Sequence, residues 1–318
     1  STSTCSSRSS FVNGVLRTIS RNLESVELTS LSVKYSLPQW IVDQWLESYD
    51  EDTVARMGQA FLEEHPTTIR CNLNAVSIEA LTKELREEQV EVEETSLPYA
   101  LHIHGYDYLN KLTSFQKGHF YVQDISSMQV AEWADPKEGD YVIDVCAAPG
   151  GKAIHMAEKL AGSGHVEARD LTEYKAGLIN ENIQRSRLDN IEAVCHDATV
   201  YEEAAKDKAD IVIADLPCSG LGVLGKKVDL KYKMTEDMQR DLAGLQRKIL
   251  SVVHTYVKPG GKLVYSTCTI HRGENEDNAR WFEETYPQFR LVKEQQFLPG
   301  REEGDGFYIA LFERERHG

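Results

Sequence analysis

Two cysteines fall where strand-like runs end. In KPGGKLVYSTCTI, Pro259, Gly260 and Gly261 predict a turn, Lys262–Thr267 a strand, and Cys268 stands just past it. In ADLPCSG, the run Asp210–Asp215 ends on a carboxylate, Cys218 follows after Leu216 and Pro217, and Ser219-Gly220 turn the chain. If these runs are neighbouring strands of one sheet, both thiols and Asp215 share one rim. A thiol there becomes a nucleophile when its pKa is lowered or a base stands beside it. The competing reading is bland. The six cysteines (5, 71, 146, 195, 218 and 268) are scattered singly with no C-x-x-C pair, so each is by default a small buried hydrophobe. That scatter argues against a structural metal site and against a disulfide framework, and it suits a reducing cytoplasm.

The glycine turn in DVCAAPGGKA (Cys146, Ala147, Ala148, Pro149, Gly150, Gly151, Lys152) offers a ligand site beside those thiols. It fails the P-loop pattern G-x-x-x-x-G-K-[ST] twice: Ala153 follows Lys152, and Cys146 holds the upstream glycine position. It also fails G-x-G-x-x-G, because Gly150 and Gly151 are adjacent. Both failures point away from a bound pyrophosphate. An acid nevertheless follows at the distance that suits a ribose, since Asp170 closes HVEARD 19 residues after Gly151. An adenosyl ligand without phosphates fits that combination, and S-adenosylmethionine is the common one. The rival is a generic α/β turn with Asp170 as a cap.

A methyl donor beside two thiols and a carboxylate suits one problem in nucleic-acid chemistry. Carbon 5 of cytosine is too weak a nucleophile to take a methyl group. A thiolate adding to carbon 6 makes the ring an enamine and activates carbon 5; after methyl transfer the carbon 5 proton leaves and the thiol is expelled. Asp215 would bond or protonate ring nitrogen 3 and limit the build-up of charge.

The elements that must position these groups follow from the pattern. From about Gln123, strand-like runs alternate with helical ones: Tyr141–Val145, Gly164–Asp170, Asn190–Cys195, Asp210–Asp215 and Lys262–Thr267, helical stretches separating these five, then Phe289–Val292 and Phe307–Phe312. This predicts a doubly wound, mostly parallel seven-stranded α/β sheet of Rossmann type over 123–318, with one of the last two strands reversed. Its ligand would lie beyond the strands' carboxyl ends. Ahead of it, 31–122 reads as a helical segment (Leu37–Glu64) and a small RRM-like α+β unit: strand Thr68–Asn72, helix Ser77–Glu88, and strands near Val90 and Leu101. Residues 1–30 form a leading segment. Its serine-rich, low-complexity start and lack of acids before Glu24 resemble a transit sequence, but a helix from Phe11 to Asn22 is the preferred reading. His102 and His104 share a strand face and receive no role.

The whole chain has 318 residues, 41% hydrophobic and 27% charged, with a net charge of −16. That charge argues against a non-specific electrostatic nucleic-acid binder. No apolar run reaches the roughly 20 residues that span a bilayer, so no membrane partner is expected. A local basic patch survives in GVLGKKVDLKYK: Lys226, Lys227, Lys231 and Lys233 against Asp229, with Tyr232 available to stack on a base.

DVCAAPGGK, DLPCSGLGVL and YSTCTIHRGENE resemble the three main signatures of the RsmB/Sun (Fmu) group of RNA cytosine-C5 methyltransferases. TTIRCN resembles the group's R-x-N element, and FVNGVLRTISR is similar to the last helix of the NusB-like domain of RsmB itself. The resemblance implies a fold that binds S-adenosylmethionine through the loop Cys146–Lys152 and the acids Asp170, Asp197 and Asp215. It implies Cys268 as nucleophile and Cys218 as the thiol that assists release. For Asp197 a helix N-cap is the alternative. It further implies a cytoplasmic, monomeric enzyme acting on 16S rRNA, with cytosine 967 as the expected base, and only a remnant of the NusB-like domain in residues 1–30. This sequence departs from the group at Ala153, usually Thr or Ser, and at Gly225 and Val228, usually Arg and Pro. The lost Arg removes one phosphate contact. Two alternatives are a non-catalytic RNA-binding factor of ribosome assembly and a C5 methyltransferase for another rRNA or tRNA cytosine. An N-methyltransferase ranks last, since Asp215-Leu216-Pro217-Cys218 poorly matches an Asn-Pro-Pro-aromatic element.

Overall fold

The computed structural model describes residues 3–22 and 29–316. Their contacts fall into two units, within residues 1–58 and 59–318. In the first, a helix spans Ser3–Asn22, starting earlier than Phe11. The expected long helix from Leu37 is broken into Gln39–Leu46 and Glu51–Leu62. Asp50 causes the break: its Oδ1 accepts the Thr53 N–H at 2.8 Å, a cap that starts a new helix.

The second unit carries two sheets. The smaller has strands β1 (Thr67–Cys71), β2 (Glu91–Glu94), β3 (Ala100–His104) and β4 (Phe120–Val122), in the antiparallel order β2-β3-β1-β4. Helix Ile78–Glu87 covers one face through the fully buried Leu81 and Leu85.

The larger sheet holds β5 (Tyr141–Asp144), β6 (His165–Asp170), β7 (Ile191–Cys195), β8 (Ala209–Asp215), β9 (Val257–Thr267), β10 (Phe289–Phe297) and β11 (Phe307–Arg314), in the order β10-β11-β9-β8-β5-β6-β7. All neighbours are parallel except β11, which runs against both β9 and β10. The expected seven-stranded doubly wound sheet is therefore present. Alternation along each strand sends Val142, Ile211, Ile213 and Val264 into one apolar layer and Ile143, Val212, Leu263 and Tyr265 into the other. Helices Ile125–Ala134, Gly151–Lys159 and Glu173–Ser186 close the first layer; Glu236–Val253 and Glu276–Thr285 close the second. Each buried aliphatic side chain stabilises this arrangement by about 1.5–3 kcal/mol.

Two local expectations fail. No α-helix joins β7 to β8; the link 196–208 holds only a 3-10 turn at Glu203–Ala205. The chain must cross β6 and β5 to reach β8, roughly three strand spacings or ~14 Å, and a short polar link does this extended. The turn expected at Pro259–Gly261 is instead an irregularity within β9, opposite the register shift between Ala209 and Ile211.

Strand order reverses between β5 and β8. Ligands of such sheets bind at the carboxyl side of that switch, where Asp144 ends β5 and Asp215 ends β8. Among the described residues, no helix is long and apolar enough to cross a membrane.

Candidate active site

At that switch lies a crevice of about 260 Å³. Its walls include Asp144, Cys146, Ala147, Ala148, Pro149, Gly151, Lys152, Asp215 and Cys268, with Tyr121, Asp305 and Phe307 opposite. A larger groove of about 740 Å³ runs between helix Ile78–Glu87 and β2; Glu94 at the end of β2 lines it, but no thiol does, and it lies away from the carboxyl side of the larger sheet. The smaller crevice holds Cys268, Lys152 and the strand-end carboxylates Asp144 and Asp215, while Cys218 is not among its lining residues.

Pairing of β8 with β9 puts Asp215 beside Ser266, so the loops leaving both strands meet. Cys218 and Cys268 are 3.3 Å apart, sulfur to sulfur. At that distance the two titrations are coupled, so ionisation of one thiol makes ionisation of the other harder. The hydrogen bond with Cys218 lowers the Cys268 pKa; burial and the Asp215 charge oppose this, and Lys152 and Lys227 add to it. Cys218 is raised well above its ordinary value by the same bond, by burial and by the charges of Cys268, Glu274 and Asp215. Cys268, on the crevice wall, is thus the sulfur that ionises first.

Asp215 accepts from Ser266 Oγ at 2.7 Å and pairs with Lys152 Nζ at 2.8 Å. Lys152, expected only within the donor loop, therefore also serves the thiol end of the crevice. The loop is held from beneath. Gly150 has φ +109°, open to glycine at little cost, and Ala147 N–H bonds Arg169 O at 2.7 Å. Asp170 accepts from the Ala148 N–H (3.0 Å) and Leu171 N–H (2.8 Å) and pairs with Lys175 (3.0 Å). Asp170, Asp197 and Gly150 do not line the crevice. Asp197 caps no helix: its Oδ1 accepts the Thr199 N–H and hydroxyl in a turn, because the link that follows is not helical.

The lysine patch is dispersed. Lys226 is clamped between Asp124 (2.8 Å) and Asp305 (2.7 Å), and Lys233 pairs with Asp229 at 2.5 Å. Lys231 lies 5.2 Å over the ring of Tyr232, which is strongly exposed. Lys227 is exposed, and its charge adds to the lowering of the Cys268 pKa.

Several residues here escaped the sequence reading. Asp144 heads the glycine-turn signature. Burial and the Asp215 charge, opposed by Lys152, push its carboxyl up to about 8, and its Oδ2 has no hydrogen-bond partner. Arg70, in TTIRCN, is buried and donates to Glu158 (2.8 Å), Gln123 and Gly151 O (3.1 Å), fixing the start of the helix behind the donor loop. Asn72, two residues on and just past the end of β1, donates to Gly118 O and Ser186 O. The R-x-N element in TTIRCN marked both residues, but not the groups they hold. Among the described residues, no group of three or more His, Cys, Asp or Glu is arranged to hold a metal.

Gly222 lies against this centre. Its N–H donates to Cys268 O at 3.0 Å and its carbonyl accepts from Gly306 at 2.8 Å. A Cβ there would stand 1.9 Å from Gly306 O and 2.8 Å from Cys268 O. Gly222→Ala is expected to force the Cys268 backbone away, destabilising the fold by ~2 kcal/mol or more; a melting curve beside a methyl-transfer assay checks both effects.

Residues 131–313, more than half the chain, match the family described as 16S rRNA methyltransferase RsmB/F. The chain belongs to this family. Residues 37–107 match the ferredoxin-like domain of RsmF/B-like methyltransferases. The Bacillus subtilis protein described as "Probable ribosomal RNA small subunit methyltransferase B" is 36% identical over 88% of this chain, which spans 64% of that relative's length. The Vibrio cholerae ribosomal RNA small subunit methyltransferase B is 31% identical over 96% of this chain, which spans 72% of it. The crystal structure of PH0851 superposes with a TM-score of 0.86 at 31% identity, covering 91% of this chain and 68% of that one. NSun6 from Pyrococcus horikoshii, solved with SFG, shares the fold at a TM-score of 0.78 and 23% identity, covering 88% of this chain and 99% of that one.

Proposed function

We propose that this RsmB/F family member transfers a methyl group from S-adenosylmethionine to carbon 5 of a cytosine in 16S rRNA, cytosine 967 by the resemblance to RsmB, through a covalent bond to Cys268. The observation that carries the proposal is the 3.3 Å contact between the Cys218 and Cys268 sulfurs, with Cys268 on the wall of a crevice shared with Lys152 and Asp215. The protein would act as a cytoplasmic monomer.

The crevice suits a cationic adenosyl donor. The unpartnered, buried Oδ2 of Asp144 offers an acceptor to a positive group, and the loop Cys146–Lys152 supplies a floor. Asp170 and Asp197 are assigned to the adenosyl end; Lys175, half exposed, is the partner Asp170 can give up to a ribose hydroxyl. When bound, the donor supplies an electrophilic methyl group.

The chain's residues then do the rest. The target base leaves its stack to enter the crevice. Cys268 thiolate bonds to carbon 6, and the ring's 5,6 electron pair moves to carbon 5, which takes the methyl group. Asp215, positioned by Ser266 and Lys152, carries a proton to ring nitrogen 3 as negative charge builds there and takes it back when the ring is restored. Once the Cys268 sulfur is bonded to carbon its negative charge is gone, and Cys218 loses the neighbour that held its own proton. Cys218 can then give its own proton to water and take the carbon 5 proton in its place; the bonding pair left behind re-forms the 5,6 double bond and expels Cys268 as a thiolate. Lys227, Lys231, Tyr232 and Lys233 are assigned to the RNA. Lys226, first grouped with them, bonds Asp124 and Asp305 instead and ties the loop after β8 to the crevice rim.

The test is bisulfite mapping of 16S rRNA from cells with and without the gene. One cytosine should lose its protection when the gene is removed. An unchanged map, with 16S rRNA still bound by the purified protein, would favour a non-catalytic factor.

A further inference from the structure

The turn 271–275 leading into helix Glu276–Thr285 contains two side chains with no solvent exposure, Glu274 and Asn275. Neither touches the crevice, yet both reach the residues flanking the cysteines. Glu274 accepts the Ser219 hydroxyl at 2.5 Å, the Ser219 N–H at 2.9 Å and Gln246 Nε2 at 3.0 Å; His271 Nδ1 lies 3.1 Å away. Ser219 follows Cys218. Gln246 also donates to the carbonyl of Pro217, which precedes Cys218, at 2.9 Å. Asn275 donates to Thr269 O at 3.0 Å and accepts the Thr267 hydroxyl at 2.5 Å, holding both neighbours of Cys268. The two sets are joined by the 2.7 Å contact of Ser219 Oγ with Thr269 Oγ1. Ser219's single hydroxyl proton goes to the carboxylate, so Thr269 is the donor in that bond.

We infer that Glu274 and Asn275 are positioning residues: they lock the two cysteine loops in register, and Glu274 behind Cys218 fixes which sulfur attacks and which keeps its proton. Charge-assisted hydrogen bonds to a buried carboxylate are short and strong, and a loop displacement of 1 Å costs a reaction heavily. The asymmetry follows from what faces each sulfur. The charges of Glu274, Asp215 and Cys268 act on Cys218, and those of Asp215, Lys152 and Lys227 on Cys268, the two sulfurs being 3.3 Å apart. Tyr265 and His271 stand behind Glu274, and Asp144 and Asp305 in the crevice wall. The cations thus gather at Cys268 and the buried anion at Cys218.

The inference rests on the proposed cysteine chemistry, so its test separates the two. Iodoacetamide labelling is followed by mass spectrometry at each cysteine from pH 6 to 10, in the full chain and in Glu274→Gln. In the native protein Cys268 should react at lower pH than Cys218. In Glu274→Gln the two profiles should converge, with the Cys268 preference falling about tenfold, kcat falling, and donor affinity and RNA KM unchanged. Ser219→Ala keeps the backbone bond to Glu274 and loses the hydroxyl bridge; it should show a smaller shift in the same direction and carries the test if Glu274→Gln does not fold. Folded variants with native labelling profiles would overturn the positioning role. Undiminished methylation by Cys268→Ala would instead overturn the cysteine chemistry itself.

Discussion

Cys268→Ala is expected to lower methyl transfer by on the order of 10⁴-fold or more, because loss of a covalent nucleophile removes the pathway rather than weakening it. Cys218→Ala is expected to behave differently. Attack remains possible, since Lys152 and Lys227 still favour the Cys268 thiolate. Release stalls, because the neighbouring sulfur that would take the carbon 5 proton is gone. The variant should therefore accumulate a protein–RNA adduct that survives denaturing electrophoresis and carries the donor's labelled methyl group. Neither change should unfold the protein, since both side chains are only partly buried and small. Labelled donor, 16S rRNA and a denaturing gel distinguish the two outcomes. An adduct in Cys268→Ala and none in Cys218→Ala would exchange the two roles.

The rim was legible in the sequence because strand ends are local signals. Cys218 and Cys268 each follow an apolar run, and one assumption, that β8 and β9 are neighbours, brought them together. The parallel alternation supported that assumption and the pairing of Asp215 with Ser266 bears it out. What supports the rim was not legible. Glu274 reaches Ser219 across 55 residues, and no periodicity predicts which loop a turn glutamate will find. Arg70 was visible as a strand residue and as part of the R-x-N element, but not in its role, since its bond to Gly151 O depends on where the small sheet lies against the donor loop. The place of Lys226 was hidden for a related reason. Composition counts charges, but Asp124 and Asp305, which hold Lys226, come from distant segments. The missing helix between β7 and β8 shows strand order overriding local propensity: the link had a distance to cross.

Asp144 carries the second large expected effect. In the ligand-free protein its carboxyl titrates near 8, raised by burial first and by Asp215 second, so it is protonated at pH 7. A cationic donor beside it favours the carboxylate. Binding at pH 7 should then release up to one proton, read as a buffer-dependent enthalpy in calorimetry. Affinity for S-adenosylmethionine should rise as pH increases from 6 to 8 and level off above it. Asp144→Asn should bind more weakly and lose that dependence. The same group sets a stability trend of opposite sign. A carboxyl raised from 3.8 to about 8 on folding destabilises the empty protein progressively between those values, on the order of 5 kcal/mol at the upper end. Asp144→Asn should therefore melt higher than the parent at pH 9, with the difference gone near pH 4. Binding that releases no proton and is flat from pH 6 to 8 would remove Asp144 from the donor site, and the melting difference would then stand alone as the signature of a buried acid.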